Sequence, residues 1–229
     1  MSEPLVAEPP VRRAIRPRDA ASLVLIDRTG TEPCVLMGRR HARMKFVPDA
    51  FVFPGGKLDA GDSMVVPASR LTPATETLMK RAAASQIKAE ALAVAAIRET
   101  FEETGLLVAA PGHVGDAPGE AWQHFREHGL APRLDVLAIV ARAITPASSP
   151  IRFHARFFAA DSTVATGRLR GSGELEDLDW YPLSDALRLP VIDVTEFVLH
   201  EIARRHAGQN RAHVPLYCYR NDKPLLRAG

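Results

Sequence analysis

The sequence predicts an α/β fold of the α+β type, a mixed β-sheet sandwiched between helices. Three observations predict it: two short apolar runs near the amino end parted by a turn segment, one long helical stretch set between strand signals, and a second helix towards the carboxyl end. With 229 residues, 46% of them hydrophobic, the chain can bury one good core, so one domain with extensions is more economical than two. The expected division is a polar tail over 1–19, a domain over 20–208 and an extension over 209–229.

Ala21-Ser-Leu-Val-Leu-Ile26 and Cys34-Val-Leu-Met-Gly-Arg39 flank Asp27-Arg-Thr-Gly-Thr-Glu-Pro33 and read as a strand pair with its turn. Phe51-Val-Phe-Pro-Gly-Gly-Lys-Leu-Asp-Ala-Gly-Asp62 is a strand running into a glycine-rich turn, in which Gly55 and Gly56 let the backbone approach a ligand closely. Residues 63 to about 84 mix Pro, Thr and Ser before turning Ala-rich, and suit a mobile cover of the site entrance as well as a helical ornament. Gln86 to Thr104 is helical, with Ile87, Leu92, Ala95, Ile97 and Phe101 available to a buried stripe. Gly105 stands where a C′ glycine belongs, and Leu106-Leu-Val108 reads as a strand. Glu120 to His128 is a shorter helix. Val136–Thr145 and Ile151–Ala159 flank a Pro-Ala-Ser-Ser-Pro turn as a long hairpin, Leu178–Tyr181 is a late strand, and Val194–Arg205 is the final helix.

The most informative segment is Ala96-Ile-Arg-Glu-Thr-Phe-Glu-Glu-Thr-Gly-Leu106. Glu99, Glu102 and Glu103 stand at i, i+3 and i+4, so on a helix they share one face and repel by roughly a few tenths of a kcal/mol per pair. They also sit in the last turns, the unfavourable end of the helix dipole for negative charge. An acid-rich solvated helix is the plain alternative; a bound Mg²⁺ or Mn²⁺, which prefers carboxylate oxygens, makes use of the repulsion.

These residues resemble the Nudix hydrolase family, whose box reads Gly-x5-Glu-x7-Arg-Glu-U-x-Glu-Glu-x-Gly-U with U aliphatic. Gly56 with Asp62 is similar to the first half, and Arg98-Glu-Thr-Phe-Glu-Glu-Thr-Gly-Leu106 to the second. Asp62 lies thirty-six positions before Arg98 where the box has eight, so about twenty-eight residues are inserted. Glu90 lies at the uninterrupted spacing, but its matching glycine position is Ala84, and the choice between Asp62 and Glu90 stays open. Thr100 departs from the aliphatic preference, and Arg70, at box spacing from Asp62, is followed by no acid pair.

The resemblance implies the Nudix fold and hydrolysis of a diphosphate linkage. It implies Glu99 and Glu103 as principal metal ligands, Glu102 as ligand or base, the Gly55 carbonyl as a further ligand, and Glu174 as an extra carboxylate from a late loop. Arg98 cannot deprotonate in practice, so its expected role is to orient the acidic helix. Lys57 and the basic residues Arg39, Arg40 and Arg43 are candidates for substrate phosphates, against exposed turn and loop cations as the alternative. His154, without a companion, reads as packed or exposed, and Phe153, Phe157 and Phe158 as core. The run Arg39–Asp59, the insertion, and Ile144-Thr-Pro with Arg152–Phe158 are similar to the coenzyme A diphosphatase branch, which implies coenzyme A or acyl-coenzyme A as substrate. ADP-ribose or another nucleoside diphosphate-sugar is the alternative, as is a non-catalytic binding module.

Composition sets limits. A net charge of +2 gives no reason to expect a nucleic-acid partner. Cys34 and Cys218 form neither a disulfide framework nor a zinc motif. With no apolar leader and no membrane-length apolar run, the expectation is a cytoplasmic protein with a small-molecule diphosphate substrate, no membrane association, and a homodimer as an allowed assembly.

Overall fold

The computed structural model describes residues 15–44, 46–81 and 85–228. Residues 1–14 of the expected tail, and the end of the insertion at 82–84, lie outside the described residues. Strand β1 (Arg18–Asp27) holds the centre of a mixed sheet and is followed by β2 (Cys34–Arg40), β3 (Phe51–Val52) and β4 (Gly55–Lys57). β1 and β2 pair antiparallel only through Ile26–Val35 and Asp27–Cys34; higher up, the same edge of β1 pairs with β4 through Ala20–Lys57, Ala21–Gly56 and Ser22–Gly55. The glycine turn is therefore part of the sheet rather than a loop above it.

Helix α1 (Pro73–Arg81) and helix α2 (Gln86–Thr104) follow. α2 starts because the Ser85 hydroxyl accepts from the Lys88 N–H, and it stops at Gly105, whose φ of 74° places it in the left-handed region while its N–H bonds to the Phe101 carbonyl. Its alanines let it pack closely on several sides, so Ala91 through Ile97 are all buried. Leu92, Ala95, Ile97 and Phe101 lie in the core as expected, but Ile87 is 73% exposed because the first turn projects beyond its packing partners.

The insertion is not a cover. Its Val65, Leu71 and Met79 are buried in the same core cluster as α2, and the Thr75 hydroxyl donates to the Leu137 carbonyl at 3.0 Å. None of its described residues lines the site cavities, because its apolar side chains draw it against α2 instead.

Short strands β5 (Leu106–Leu107) and β6 (Ala109–Pro111), helix α3 (Glu120–Glu127) and strand β7 (Leu130–Pro132) complete the α2 layer. The long hairpin is β8 (Ala138–Ile144) with β9 (Phe153–Asp161), and β9 runs parallel to β1. After β10 (Thr166–Gly167), strand β11 (Leu175–Pro182) pairs with β2, and helices α4 (Leu183–Ala186) and α5 (Asp193–His206) cover the second face. Residues 209–229, read from the sequence as an extension, contribute β12 (Leu216–Arg220) and β13 (Lys223–Arg227) to the sheet, with β12 parallel to β8. Buried Val214 and Cys218, and the Arg211 fork on Glu201 at 2.9–3.1 Å, tie this segment to the domain. The nine-stranded sheet runs β11-β2-β1-β9-β8-β12-β13, with β3 on β2 and β4 on β1, and a core cluster on each face.

Candidate active site

A cleft of about 720 Å³ opens on the α5 face of the sheet, and its acidic end lies where α2 reaches the glycine turn. It exists because small side chains stand in adjacent strands: Ala20 pairs with Ala155, which pairs with Ala143, while one row deeper Phe157 fills the same level.

Arg98 organises the acidic end. Its Nε and Nη2 donate to Asp62 at 2.8 and 3.1 Å, its Nη1 to Glu99 at 2.9 Å and Glu102 at 2.8 Å, and Nη2 also to the Lys57 carbonyl at 3.1 Å. Burial opposes the Arg98 charge, but Asp62, Glu99 and Glu102 outweigh it and hold the guanidinium firmly protonated. Asp62, only 1% exposed, also accepts from the Asp59 N–H at 2.8 Å. The position left open between Asp62 and Glu90 is thus occupied by Asp62, which holds the Arg98 guanidinium, whereas Glu90 sits 3.8 Å from Arg70. The insertion leaves the chain just after Asp62 and returns before α2, so the contact survives it.

Three carboxylates on one arginine, with Glu103 beside them on the same helix, leave an excess of negative charge. Burial pushes Glu99 up to about 7, its neighbour Glu102 adding to the shift and Arg98 opposing it. Burial likewise pushes Glu103 up to about 8, against the Gly55 N–H that Glu103 Oε2 accepts at 2.9 Å, with Glu99 and Glu174 adding to the shift. Glu102 is raised, chiefly by burial. A Cβ on Gly56 would collide with the Glu99 carboxylate, so the turn passes directly over the acids. Hard oxygen donors, buried and short of positive charge beneath an exposed backbone turn, suit a divalent cation. Among the described residues, no three such side chains converge on one point, since Arg98 engages Glu99 and Glu102.

Glu174 lines the cleft and also a second cavity of about 480 Å³ on the far side of the acids, shared with Glu120, His124 and Arg170. Of the basic residues, Arg40 and Lys57 line the cleft. Arg39 does not, because Asp49, Glu176 and Asp177 take its guanidinium at 3.4, 2.7 and 2.7 Å, and Arg43 lies outside the lining as well. His154 is half-buried off the cleft; burial and then the charges of Arg156 and Arg142 lower it to about 4. Phe157 and Phe158 are core, but Phe153 is only partly buried and stands edge-on to Phe46 at 5.1 Å in the cleft wall.

Sequence reasoning missed Arg18, Phe46, Asp193, Tyr217 and Tyr219, all of which line the cleft. Tyr217 and Tyr219, two apart on one strand, carry the alternation that marks a shared face, a signal hidden by reading 209–229 as an extension.

No family model matches this sequence, and no curated protein matches it either. Among solved structures, the chain is similar to a Nudix hydrolase from Alicyclobacillus acidocaldarius at 31% identity and a TM-score of 0.65, over 82% of this chain and 92% of that one. Weaker likenesses are to the Nudix domain of Shewanella oneidensis NrtR, solved with ADP-ribose, at 13% identity and a TM-score of 0.48 over 84% of this chain and 90% of that one, and to a MutT Nudix hydrolase from Burkholderia pseudomallei, at 18% identity and a TM-score of 0.47 over 82% and 99%. The chain belongs to the Nudix hydrolase family. It is a Nudix-type hydrolase acting on phosphoric anhydrides. No helix among the described residues is long and apolar enough to cross a membrane.

Proposed function

We propose that this hydrolase is a metal-dependent diphosphatase of coenzyme A or acyl-coenzyme A. The observation that carries the chemistry is the meeting of Glu99, Glu102, Glu103 and Glu174 with the Gly55–Gly56 turn at one end of a long cleft. Glu99, Glu103 and the Gly55 carbonyl would hold Mg²⁺ or Mn²⁺, which would supply phosphate charge neutralisation, polarisation of the phosphorus and an acidified water. Glu102 serves as a further ligand or takes the proton of the attacking water, and Glu174 closes the site from the opposite loop. Arg98 keeps Glu99 and Glu102 in place, while Arg40 and Lys57, two of the cations that line the cleft, meet the substrate's phosphates. The preference for coenzyme A over ADP-ribose rests on the resemblance of 39–59, the insertion and 144–158, and is supported by a cleft that continues well beyond the acids. An intact Arg98-Glu99 and Glu102-Glu103 half speaks against a module without catalysis.

The test is a panel of coenzyme A, 3′-dephospho-coenzyme A, ADP-ribose and a nucleoside diphosphate-sugar assayed with Mg²⁺ and with Mn²⁺, products identified by mass. The proposal expects cleavage of coenzyme A to a phosphopantetheine and adenosine 3′,5′-bisphosphate. Brisk turnover of ADP-ribose with none of coenzyme A overturns the substrate and leaves the diphosphatase chemistry.

A further inference from the structure

The cleft crosses the sheet along a single row of partners: Lys57 on β4, Ala20 on β1, Ala155 on β9, Ala143 on β8 and Tyr217 on β12. With neighbouring strands about 4.8 Å apart, four steps make this row about 19 Å long. Its three consecutive alanines form a trough, with Phe153 in the row on one side and Phe157 in the row on the other.

The end remote from the acids has a defined polarity. Tyr217 and Tyr219 both donate to Asp193 Oδ2, Tyr217 at 3.3 Å, while Asp193 Oδ1 accepts from the Val194 N–H at 2.8 Å. Tyr217 is fixed further by stacking on Phe197 at 5.1 Å. With both phenolic protons committed to the carboxylate, the Asp193–Tyr217–Tyr219 cluster itself offers a ligand only acceptors: the phenolic oxygens and the remaining lone pair of Asp193. It therefore disfavours a phosphate and favours an N–H or O–H donor.

We infer that Asp193, Tyr217 and Tyr219, with the Ala20–Ala155–Ala143 trough, select the arm of the substrate, and that the arm is an extended, uncharged chain carrying amide or hydroxyl donors on the order of 19 Å from the row's acidic end. At 3.3–3.6 Å per residue of extended chain, that span suits a peptide-like arm of roughly five to six residue lengths, and a single sugar falls well short of it. The inference rests on the diphosphatase reading and adds which residues choose the substrate.

Two substrates that share ADP and differ only in the arm provide the test: 3′-dephospho-coenzyme A, with its amide-bearing arm, and ADP-ribose. The wild-type protein is expected to favour the first in kcat/KM. The Asp193→Asn/Tyr219→Phe double variant, and separately Ala155→Leu, which fills the trough, are expected to lower the ratio of the two kcat/KM values at least ~10-fold, through KM of the long-armed substrate. Ala155→Leu leaves the hydrogen-bonded end intact, so it carries the test if the double variant melts early. An unchanged ratio in Ala155→Leu and in a folded double variant overturns the inference, as does a wild-type preference for ADP-ribose. If neither compound is cleaved while another diphosphate of the panel is, the arm assignment falls alone; if nothing in the panel is cleaved with either metal, the diphosphatase reading falls with it.

Discussion

Arg98 and Glu103 illustrate why single side chains matter so much at this site. Among the described residues Arg98 is the one cation that reaches Asp62, Glu99 and Glu102 together, and Asp62 is only 1% exposed. Removing the guanidinium strands a buried carboxylate, so Arg98→Ala is expected to cost about 3–5 kcal/mol of stability, read as a lower urea midpoint at unchanged m-value. Glu103→Gln and Glu102→Gln keep the shape but lose a charged ligand or base. Each is expected to lower kcat by at least ~10²-fold with an unaltered circular dichroism spectrum, and full activity in either excludes the proposed site. His154 gives a pH signature of stability. Burial, Arg156, Arg142 and Lys88 disfavour its protonation and only Asp19 favours it, so its folded value of about 4 lies below the ~6.5 of an unfolded histidine. Between these values the unfolded chain binds the extra proton, so this contribution is whole above pH ~6.5 and is lost as pH falls towards 4. Urea midpoints at pH 7 and 4.5 should fall further apart in the wild type than in His154→Gln.

At the scale of elements, the insertion and the final hairpin exchange the roles that sequence position suggests. A segment leaving the chain between Asp62 and α2 has its ends beside the site, yet Val65, Leu71 and Met79 bury themselves against α2 and anchor it in the core. Met79→Ala is therefore expected to destabilise the protein by about 2–5 kcal/mol while leaving KM near its wild-type value, which a thermal melt and a kinetic titration check together. A mobile cover would show the opposite pattern. The β12–β13 hairpin, far from the box in sequence, forms the remote wall of the cleft because β12 pairs in parallel with β8.

For the whole molecule, the sheet works as a ruler. β1, β8 and β9 set alanines side by side, α2 brings the acids to one end of that row, and α5 begins at the other. The surplus of carboxylates at the acidic end predicts complete dependence on a divalent ion: excess chelator should abolish turnover and added Mg²⁺ or Mn²⁺ should restore it. Persistent turnover in chelator would remove the metal from the proposal.

The chemistry was legible in the chain because it is local. Gly105 ends one helix, and the spacing of Glu99, Glu102 and Glu103 puts three carboxylates on its face whatever surrounds it. Short apolar runs parted by turn segments likewise placed β1, β2, β8 and β9. Long-range pairing was not legible. Asp62 rather than Glu90 meets Arg98 because the sheet holds the glycine turn beside α2, and no spacing rule spans an insertion that folds on its own terms. Arg39 stands outside the cleft lining with Glu176 and Asp177 on its guanidinium, brought there by β11 from 137 and 138 positions away. Tyr217 and Tyr219 reached the cleft through one parallel strand contact. Local sequence determines helix ends and the residues that share a face; which faces meet is set by burial and strand pairing summed over the whole chain.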